Sequence, residues 1–292
     1  MKKTLLFVLA LAVIPTGITA QVTATNFERA RALAEQGDAL AQVTVAGYYR
    51  EGEGVEQDFT EAAHWYRLAA DQGHAEGQGF LGIAYATGEG VLKDVVEALR
   101  WFRLAADQGY ARAQNGLGVM YATGQGVPED MAEAVRWFRL AADQGDVRAQ
   151  NNLAFSYATG QGVPEDMAEA VRWLRLAADQ GHAEAQNNLA SAYATGEGVE
   201  QNFAEAARWF HLAADQGDAS AQNNLGIAYA TGRIVPEDIV VSHMWFNVAA
   251  AQGHEDAQEN KDSLERRMTH EQVAEGQELA REWIESHPPG GD

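Results

Sequence analysis

Residues 149–181 read AQNNLAFSYATGQGVPEDMAEAVRWLRLAADQG, and this stretch decides the fold of the chain. Its first part places Leu153 and Tyr157 four residues apart, which puts both side chains on one face of a helix. Residues 159–166 then interrupt the helical pattern with two glycines and a proline, which supply positive φ angles and a rigid exit. The pattern predicts a helix, which we call helix A, followed by a loop.

A second helix, helix B, is predicted from about Met167 to Gln180. It carries Ala170, Trp173 and Ala177 on one side, so that small residues allow close approach and the indole fills the space between helices. Gly181 follows as the glycine that typically ends a helix. Together the two helices form an antiparallel pair.

The start of helix B carries a capping signal. Asp166 lies where an N-cap residue is needed, and Glu169 follows three residues later, as in a capping box. The same device recurs at Asp58 with Glu61, Asp94 with Glu97, Asp130 with Glu133, and Asn202 with Glu205.

The whole pattern is repeated at an interval of 36 residues. The recurring tryptophans are Trp65, Trp101, Trp137, Trp173, Trp209 and Trp245, and the tyrosines include Tyr49, Tyr85, Tyr121, Tyr157, Tyr193 and Tyr229. One helix pair cannot bury its apolar stripe alone, so the copies must stack. We expect an all-α fold, a right-handed α-solenoid of antiparallel helix pairs with a 36-residue repeat.

These motifs resemble the Sel1-like repeat, a relative of the tetratricopeptide repeat, over about residues 38–253. The resemblance implies a scaffold or adaptor that binds a protein or peptide on its concave surface. It also implies roles in bacterial envelope signalling or assembly. That the chain is not an enzyme is predicted from the catalytic motifs that its sequence lacks. No cofactor or metal ion is expected.

The flanking segments are predicted to be a signal peptide and two caps. Residues 1–20 combine two lysines with a short apolar run and end in Ala20, after which we expect cleavage. Residues 21–37 resemble half a repeat and residues 254–287 form C-terminal capping helices, while residues 288–292 are a disordered tail. The mature protein is expected in the periplasm or outside the cell, without membrane insertion, as a monomer.

The C-terminal cap has its own signals. Thr269 and Gln272 form a capping box before a helix from about His270 to Ser286, which Trp283 and Ile284 should dock on the last repeat. The sixth copy departs from the pattern. Arg233 and Ile234 replace the usual polar residue and second glycine, so we expect that loop to adopt its own conformation.

The charge of the chain disfavours some partners. Acidic residues outnumber basic ones by 42 to 21, giving a net charge of −21, which argues against binding nucleic acid. The acidic surface either keeps the chain soluble or steers a basic partner. There is no cysteine, so disulfides, thiol nucleophiles and thiolate metal sites are excluded.

Catalytic motifs are missing from the sequence. No serine is followed by lysine three residues later, and no Gly-x-Ser-x-Gly motif occurs. His74, His182 and His254 are expected to be solvent-exposed turn residues. Two alternatives stay open: a cell-wall or β-lactam hydrolase, and a peptidoglycan or carbohydrate-binding module whose stacking platforms would be Tyr48, Tyr66 and Tyr110.

The candidate partner-binding residues lie on helix A. One asparagine register holds Asn115, Asn151, Asn187 and Asn223, and the next holds Asn152, Asn188 and Asn224. Their amides could pair with a peptide backbone, or at least one register could instead brace the adjacent loop. Specificity would come from positions that differ between copies, namely Met120, Phe155, Ser191 and Ile227.

Overall fold

The computed structural model describes residues 16–287 and their side chains from residue 25 onward. Most of the predicted signal peptide and the whole predicted tail lie outside the described residues. Within residues 16–287 there are fifteen α-helices and no strand. The helices are α1 (Thr16–Ala34), α2 (Ala39–Glu51), α3 (Phe59–Asp71), α4 (Ala75–Thr87), α5 (Val95–Asp107), α6 (Ala111–Thr123), α7 (Met131–Asp143), α8 (Val147–Thr159), α9 (Met167–Asp179), α10 (Ala183–Thr195), α11 (Phe203–Asp215), α12 (Ala219–Thr231), α13 (Ile239–Ala251), α14 (Glu255–Glu265) and α15 (His270–Ser286).

The predicted alternation of helices A and B is confirmed. Helices A are α2, α4, α6, α8, α10 and α12, and helices B are α3, α5, α7, α9, α11 and α13. Helices A and B have 13 residues each. This uniform length follows from the loop and cap signals, which recur in the same register in successive copies.

The loop between helices A and B depends on two glycines. Gly160 ends α8 in the left-handed conformation with a φ of 69°, and Gly162 has a φ of 75°. A Cβ atom on Gly162 would lie 2.1 Å from the carbonyl oxygen of Met131. The loop therefore packs so tightly against the start of the preceding helix B that only glycine fits.

The sixth loop differs, as the sequence indicates. Among the described residues only glycines have a positive φ, so Ile234 does not reproduce the conformation of the glycines that it replaces. Helix α13 is nevertheless capped, because the Asp238 carboxylate accepts hydrogen bonds from the backbone N–H groups of Val240 and Val241, both at 3.0 Å. The cap is thus independent of the second glycine.

The N-cap of α9 is confirmed, but its predicted reciprocal capping box is wrong. Asp166 accepts from the Glu169 amide at 3.0 Å. The Glu169 carboxylate instead accepts from Arg172 at 2.8 and 3.0 Å and from the indole N–H of Trp173 at 3.0 Å. The hydrogen bond from Arg172 lowers the pKa of Glu169. At α15 both halves of the predicted capping box form between Thr269 and Gln272.

A tight turn joins helix B to the next helix A. Gly181 has a φ of 89°, its amide bonds the Ala178 carbonyl, and the His182 amide bonds the Ala177 carbonyl. These two bonds form a Schellman motif, which satisfies carbonyls at the end of α9. His182 then caps α10 by accepting from the Ala185 amide through Nδ1 at 3.3 Å.

Contacts divide the chain into two compact units, of which the first ends at Met120. In this unit α1 packs on α2, and α2 to α5 pack consecutively. Val45 and Leu81 are fully buried. The ring of Phe27 on α1 meets those of Tyr48 and Tyr49 edge-on at 5.8 and 5.4 Å. Helix α1 therefore packs against α2, the first helix of the repeat array.

The second unit begins at Tyr121 and ends with the C-terminal cap. Helices α7 to α13 pack consecutively, and both α14 and α15 pack on α13. Trp283 on α15 docks as predicted, with its ring 5.7 Å from that of Trp245. Ile284, the other predicted docking residue, is 38% exposed, because the buried side of α15 is formed instead by Gly276 and Ala280.

Candidate functional site

The exposed stripe of helix A is the surface on which partner binding was expected. In the second unit it includes Phe155 on α8, Ser191 on α10 and Ile227 on α12, which share one register of the repeat. We call these three residues the A-helix face. Phe155 is 56% and Ile227 41% exposed, while Ser191 between them in sequence is half-buried. Two large apolar side chains thus flank a small polar one.

The first asparagine register does not belong to this exposed surface. Asn115, Asn151, Asn187 and Asn223 are all buried. The side-chain amide of Asn224 donates a hydrogen bond to the side-chain oxygen of Asn187 at 2.9 Å. The side-chain amide of Asn260 donates in the same way to the side-chain oxygen of Asn223 at 3.0 Å. These two bonds link α10 to α12 and α12 to α14, and the burial of all four side chains counts against the expectation that this register binds a peptide backbone. The alternative of a structural brace fits better, although the brace lies between helices rather than at a loop.

The second register is only partly available. Asn152 and Asn224 are half-buried, whereas Asn188 on α10 is exposed. The side-chain oxygen of Asn151 is buried and has no hydrogen-bond partner among residues 16–287. Asn188 is therefore the asparagine side chain of this register best placed to meet a partner.

One candidate specificity residue was assigned to the wrong side of its helix. Met120 is only 5% exposed and shares its register with the buried Ser156. Val119, one residue earlier, shares the register of Phe155 and is 39% exposed. A shift of one residue turns a helical side chain through about 100°, which explains why Met120 faces the core.

The repeated tryptophans and tyrosines form the framework. Trp101, Trp137, Trp173, Trp209 and Trp245 are buried, and Trp65 is half-buried. Tyr157 is buried, and Tyr85, Tyr121, Tyr193 and Tyr229 are half-buried. Arg175 on α9 donates to the Tyr193 hydroxyl on α10 at 2.5 Å, and the pairs Arg139–Tyr157 and Arg67–Tyr85 repeat this contact.

Histidine replaces arginine in the last of these contacts. His211 Nε2 lies 3.4 Å from the Tyr229 hydroxyl, and burial lowers the pKa of His211. Glu265 occupies the position 36 residues after Tyr229, where a further copy would have tyrosine. Its carboxylate lies 2.8 Å from Nε2 of the fully buried His243. These histidines support the end of the repeat array.

The turn histidines have a structural task that was not expected. His74, His182 and His254 are half-buried N-caps, each accepting a backbone N–H through Nδ1. Within residues 16–287 no three residues among histidine, aspartate and glutamate are grouped so that they could hold a metal ion. None of the described helices is long and apolar enough to cross a membrane.

The proposed carbohydrate platforms are covered. Tyr66 is only 3% exposed, and Tyr48 and Tyr110 are half-buried. Tyr110 lies so close to Gly79 that a Cβ atom there would be 2.5 Å from the ring. Since stacking on a sugar needs an open aromatic face, Tyr66 cannot serve as such a platform in this structure.

A buried glutamine ladder was missed by the sequence analysis. Gln186 donates to the Ala178 carbonyl at 3.1 Å and accepts from the Gln216 amide at 2.7 Å, so it links α9, α10 and α11. Gln42, Gln78, Gln150 and Gln222 make the same two contacts. The 36-residue recurrence of glutamine between alanine and the asparagine register was the signal that could have found it.

Comparison with known proteins decides the family. The Sel1 repeat model matches six consecutive segments, residues 39–74, 75–110, 111–146, 147–182, 183–218 and 219–254. The chain belongs to the Sel1 repeat family. The first matched segment begins at residue 39 and the last ends at residue 254, so each end of the array lies one residue after the predicted bounds of 38 and 253.

Two of the solved structures that are similar to this Sel1 repeat protein cover most of its length. One is c5321, a protective antigen present in uropathogenic Escherichia coli strains and displaying the same fold, with 36% identity and a TM-score of 0.72. The chain is covered over 89% of its length, but it spans only 56% of that antigen. The other is a Sel1 repeat protein from Oxalobacter formigenes, with 31% identity, a TM-score of 0.67, and coverage of 79% of this chain and 96% of that one. No match was found among curated proteins.

The Sel1 repeat fold accounts for most of the regular side chains. Buried leucine, tryptophan, glutamine and asparagine recur because each copy must bind its neighbours. The A-helix face is different, since Phe155, Ser191 and Ile227 vary between copies and two of them are exposed. This face is therefore the candidate functional site on the repeat scaffold.

Proposed function

We propose that this Sel1 repeat protein is an exported scaffold that binds a protein or peptide partner through the A-helix face of its second unit. The observation that carries the proposal is the exposure of Phe155 and Ile227 in one register of the repeat. Aromatic residues, phenylalanine included, are enriched at protein–protein interfaces relative to the rest of the surface. The repeat does not need a large apolar side chain at this position in order to pack, because the copy between them has Ser191 there.

The spacing of the two anchors suits an extended or helical segment. Helices packed side by side lie about 8–10 Å apart, so two steps from α8 to α12 separate the anchors by about 16–20 Å. An extended segment of about six residues covers that span at about 3.3 Å per residue. Asn188, exposed on α10, is placed between the anchors and could bond the backbone of the partner.

Export is the second part of the proposal. It is supported by the signal-like composition of residues 1–20. A role in envelope signalling or assembly would follow for this chain from the resemblance and from export together.

Affinity capture of crosslinked partners tests the function. Wild-type protein should recover a specific partner that the double variant Phe155→Ser/Ile227→Ser loses, because serine in this register is already accepted at Ser191. The matched control is Leu92→Ser, which removes a side chain that is 91% exposed in the first unit. Recovery of the same partner by the folded double variant would refute binding at this face.

A further inference from the structure

One asparagine pair beside the A-helix face is open. The side-chain amide of Asn224 on α12 bonds the side-chain oxygen of Asn187 on α10, and the same kind of bond joins α14 to α12. The corresponding residues of α10 and α8 are Asn188 and Asn151. Here the bond is not formed, since Asn188 is exposed and the buried oxygen of Asn151 has no partner among residues 16–287. A buried acceptor without a partner costs free energy, so the packing of the repeats does not explain the exposed Asn188.

The open pair leaves a complete amide group in the middle of the surface. Asn188 lies one turn before Ser191 on α10, and α10 lies between the helices that carry Phe155 and Ile227. Its side chain makes no hydrogen bond in the described part of the chain. An asparagine amide offers an acceptor oxygen and a donor NH₂ group side by side.

This amide distinguishes an extended partner from a helical one. In an extended segment each residue turns its N–H and its C=O to the same side, and the two groups match the oxygen and the NH₂ group of Asn188. In a helix the backbone groups bond one another four residues apart, so none is left for Asn188. The free amide therefore favours an extended segment.

Two unpaired charges lie on the other side of Asn188. Arg148 on α8 and Glu184 on α10 are exposed, and each precedes a residue of the A-helix face by seven positions. Seven residues make about two turns, so these charges lie on the same side of their helices as Phe155 and Ser191. Neither forms an ion pair within residues 16–287. A complementary partner carries an acidic group over α8 and a basic group over α10.

We propose that the A-helix face binds an extended segment in which two apolar side chains lie six residues apart, with an acidic residue next to the first and a basic residue in the middle. The inference rests on the proposed function and names the chemistry of its partner. Counted from the α8 end, segment positions 1 and 7 contact Phe155 and Ile227, because six residues of extended chain span about 20 Å.

The alternation of an extended chain assigns the other positions. The backbone of segment position 4 lies over Asn188. Because side chains point alternately to opposite sides, positions 1 and 7 face the apolar side and positions 2 and 4 face the charged side. Position 2 is then the acidic residue that meets Arg148, and position 4 is the basic residue that meets Glu184.

Seven-residue peptides test the proposal without knowledge of the partner. The blocked peptide Leu-Glu-Ser-Lys-Ser-Thr-Leu and its reversed sequence are titrated into the whole chain, and the side-chain amide NMR signals of the asparagines are followed. We expect one of the two chain directions to give saturable shifts at Asn188. Moving the last leucine from position 7 to position 6, or exchanging the glutamate and the lysine, should weaken binding at least fivefold.

A double comparison isolates the backbone contact. Asn188→Ala should weaken the peptide at least fivefold without lowering the denaturation midpoint, because the side chain makes no bond within the chain. Methylation of the backbone nitrogen at position 4 should weaken binding to wild type but have little further effect on Asn188→Ala. The matched control is Asn224→Ala, which breaks a formed pair. It should lower the midpoint and change the affinity less than twofold.

Three results would overturn the inference. They are no saturable binding in either chain direction, equal binding of the shifted or charge-exchanged peptide, and an equal effect of N-methylation on wild type and on Asn188→Ala. If the Phe155→Ser/Ile227→Ser variant still loses its captured partner, such a result shows that the A-helix face binds a partner of another form. Retention of the captured partner by that variant refutes the face itself, so the two failures are distinct.

Discussion

Tyr66 shows how burial in the repeat changes the chemistry of a single residue. Its phenol is almost wholly covered, and this burial raises its pKa to about 12 from 10.0. Because the folded-state pKa is the higher one, stability from the neutral phenol is fully present below pH 10 and is lost as the pH rises through about 12. The loss should reach about 3 kcal/mol, since each pKa unit corresponds to about 1.4 kcal/mol.

Tyr66→Phe isolates this effect. Phenylalanine occupies the same register at Phe102, Phe138, Phe210 and Phe246, so the variant should fold. Chemical denaturation between pH 9 and about 12 should show a smaller loss of stability for the variant than for wild type. Parallel pH profiles would mean that the phenol ionises normally in the folded chain.

Single residues also mark the limit of what the sequence predicts. The buried Leu153 and Trp173 follow from the 36-residue period, because the apolar stripe of a helix must face a neighbour. The burial of Asn187 does not follow, since its side-chain oxygen accepts a hydrogen bond from the Asn224 amide in the next copy. The polarity of a residue does not show whether its partner is water or a side chain 37 positions away.

At the scale of elements, the docking of α15 depends on a missing side chain. A Cβ atom on Gly276 would lie 2.5 Å from Nδ1 of the fully buried His243. Alanine normally favours a helix, but here overpacking should destabilise the protein by about 1–3 kcal/mol. Denaturant unfolding of Gly276→Ala measures the loss.

Gly47→Ala is the matched control for that prediction. Gly47 lies inside α2, and a Cβ atom there would have no neighbour within 4 Å. Helix propensity should therefore stabilise this variant by up to about 1 kcal/mol. Equal effects of the two substitutions would show that α15 does not pack on His243 as described.

The glutamine ladder makes a second prediction for the helix contacts. Gln186→Leu removes two hydrogen bonds, one to the Ala178 carbonyl, which keeps its bond from the Gly181 amide, and one from the Gln216 amide. At about 0.5–1.5 kcal/mol for each bond, the loss in the free energy of unfolding should be about 1–3 kcal/mol. Gln277→Leu, at an exposed position on α15, should change it by less than about 0.5 kcal/mol. Similar denaturation midpoints for both variants would argue against a bracing role for Gln186.

Elements were predicted better than their side-chain contacts. The N-caps Asp58, Asp130 and Asp166 follow from aspartate at a helix start, because its carboxylate reaches free backbone amides. The fate of Glu169 could not be predicted, since Arg172 and Trp173 compete for it once the helix has formed. The buried face of α15 was partly misjudged because glycine gives no hydrophobic signal.

At the scale of the whole molecule, export predicts a defined mature chain. Cleavage after Ala20 would remove the first five residues of α1 and leave Gln21 as the N-terminus. Phe27, which packs on Tyr48 and Tyr49, would be retained. Intact mass and N-terminal sequencing of protein from cell fractions should find Gln21 first outside the cytoplasm; full-length protein confined to the cytoplasm would contradict export.

The central claim is that a partner binds on the A-helix face, and site-specific photocrosslinking in cells tests it most directly. Benzoylphenylalanine at position 155 should give a specific crosslinked partner, and Ile227→Ser in the same chain should reduce its yield. The same photoreactive residue at the exposed position 92 should not capture that partner. An equal crosslinking pattern from both positions, or none from position 155 in a folded, exported protein, would contradict the account.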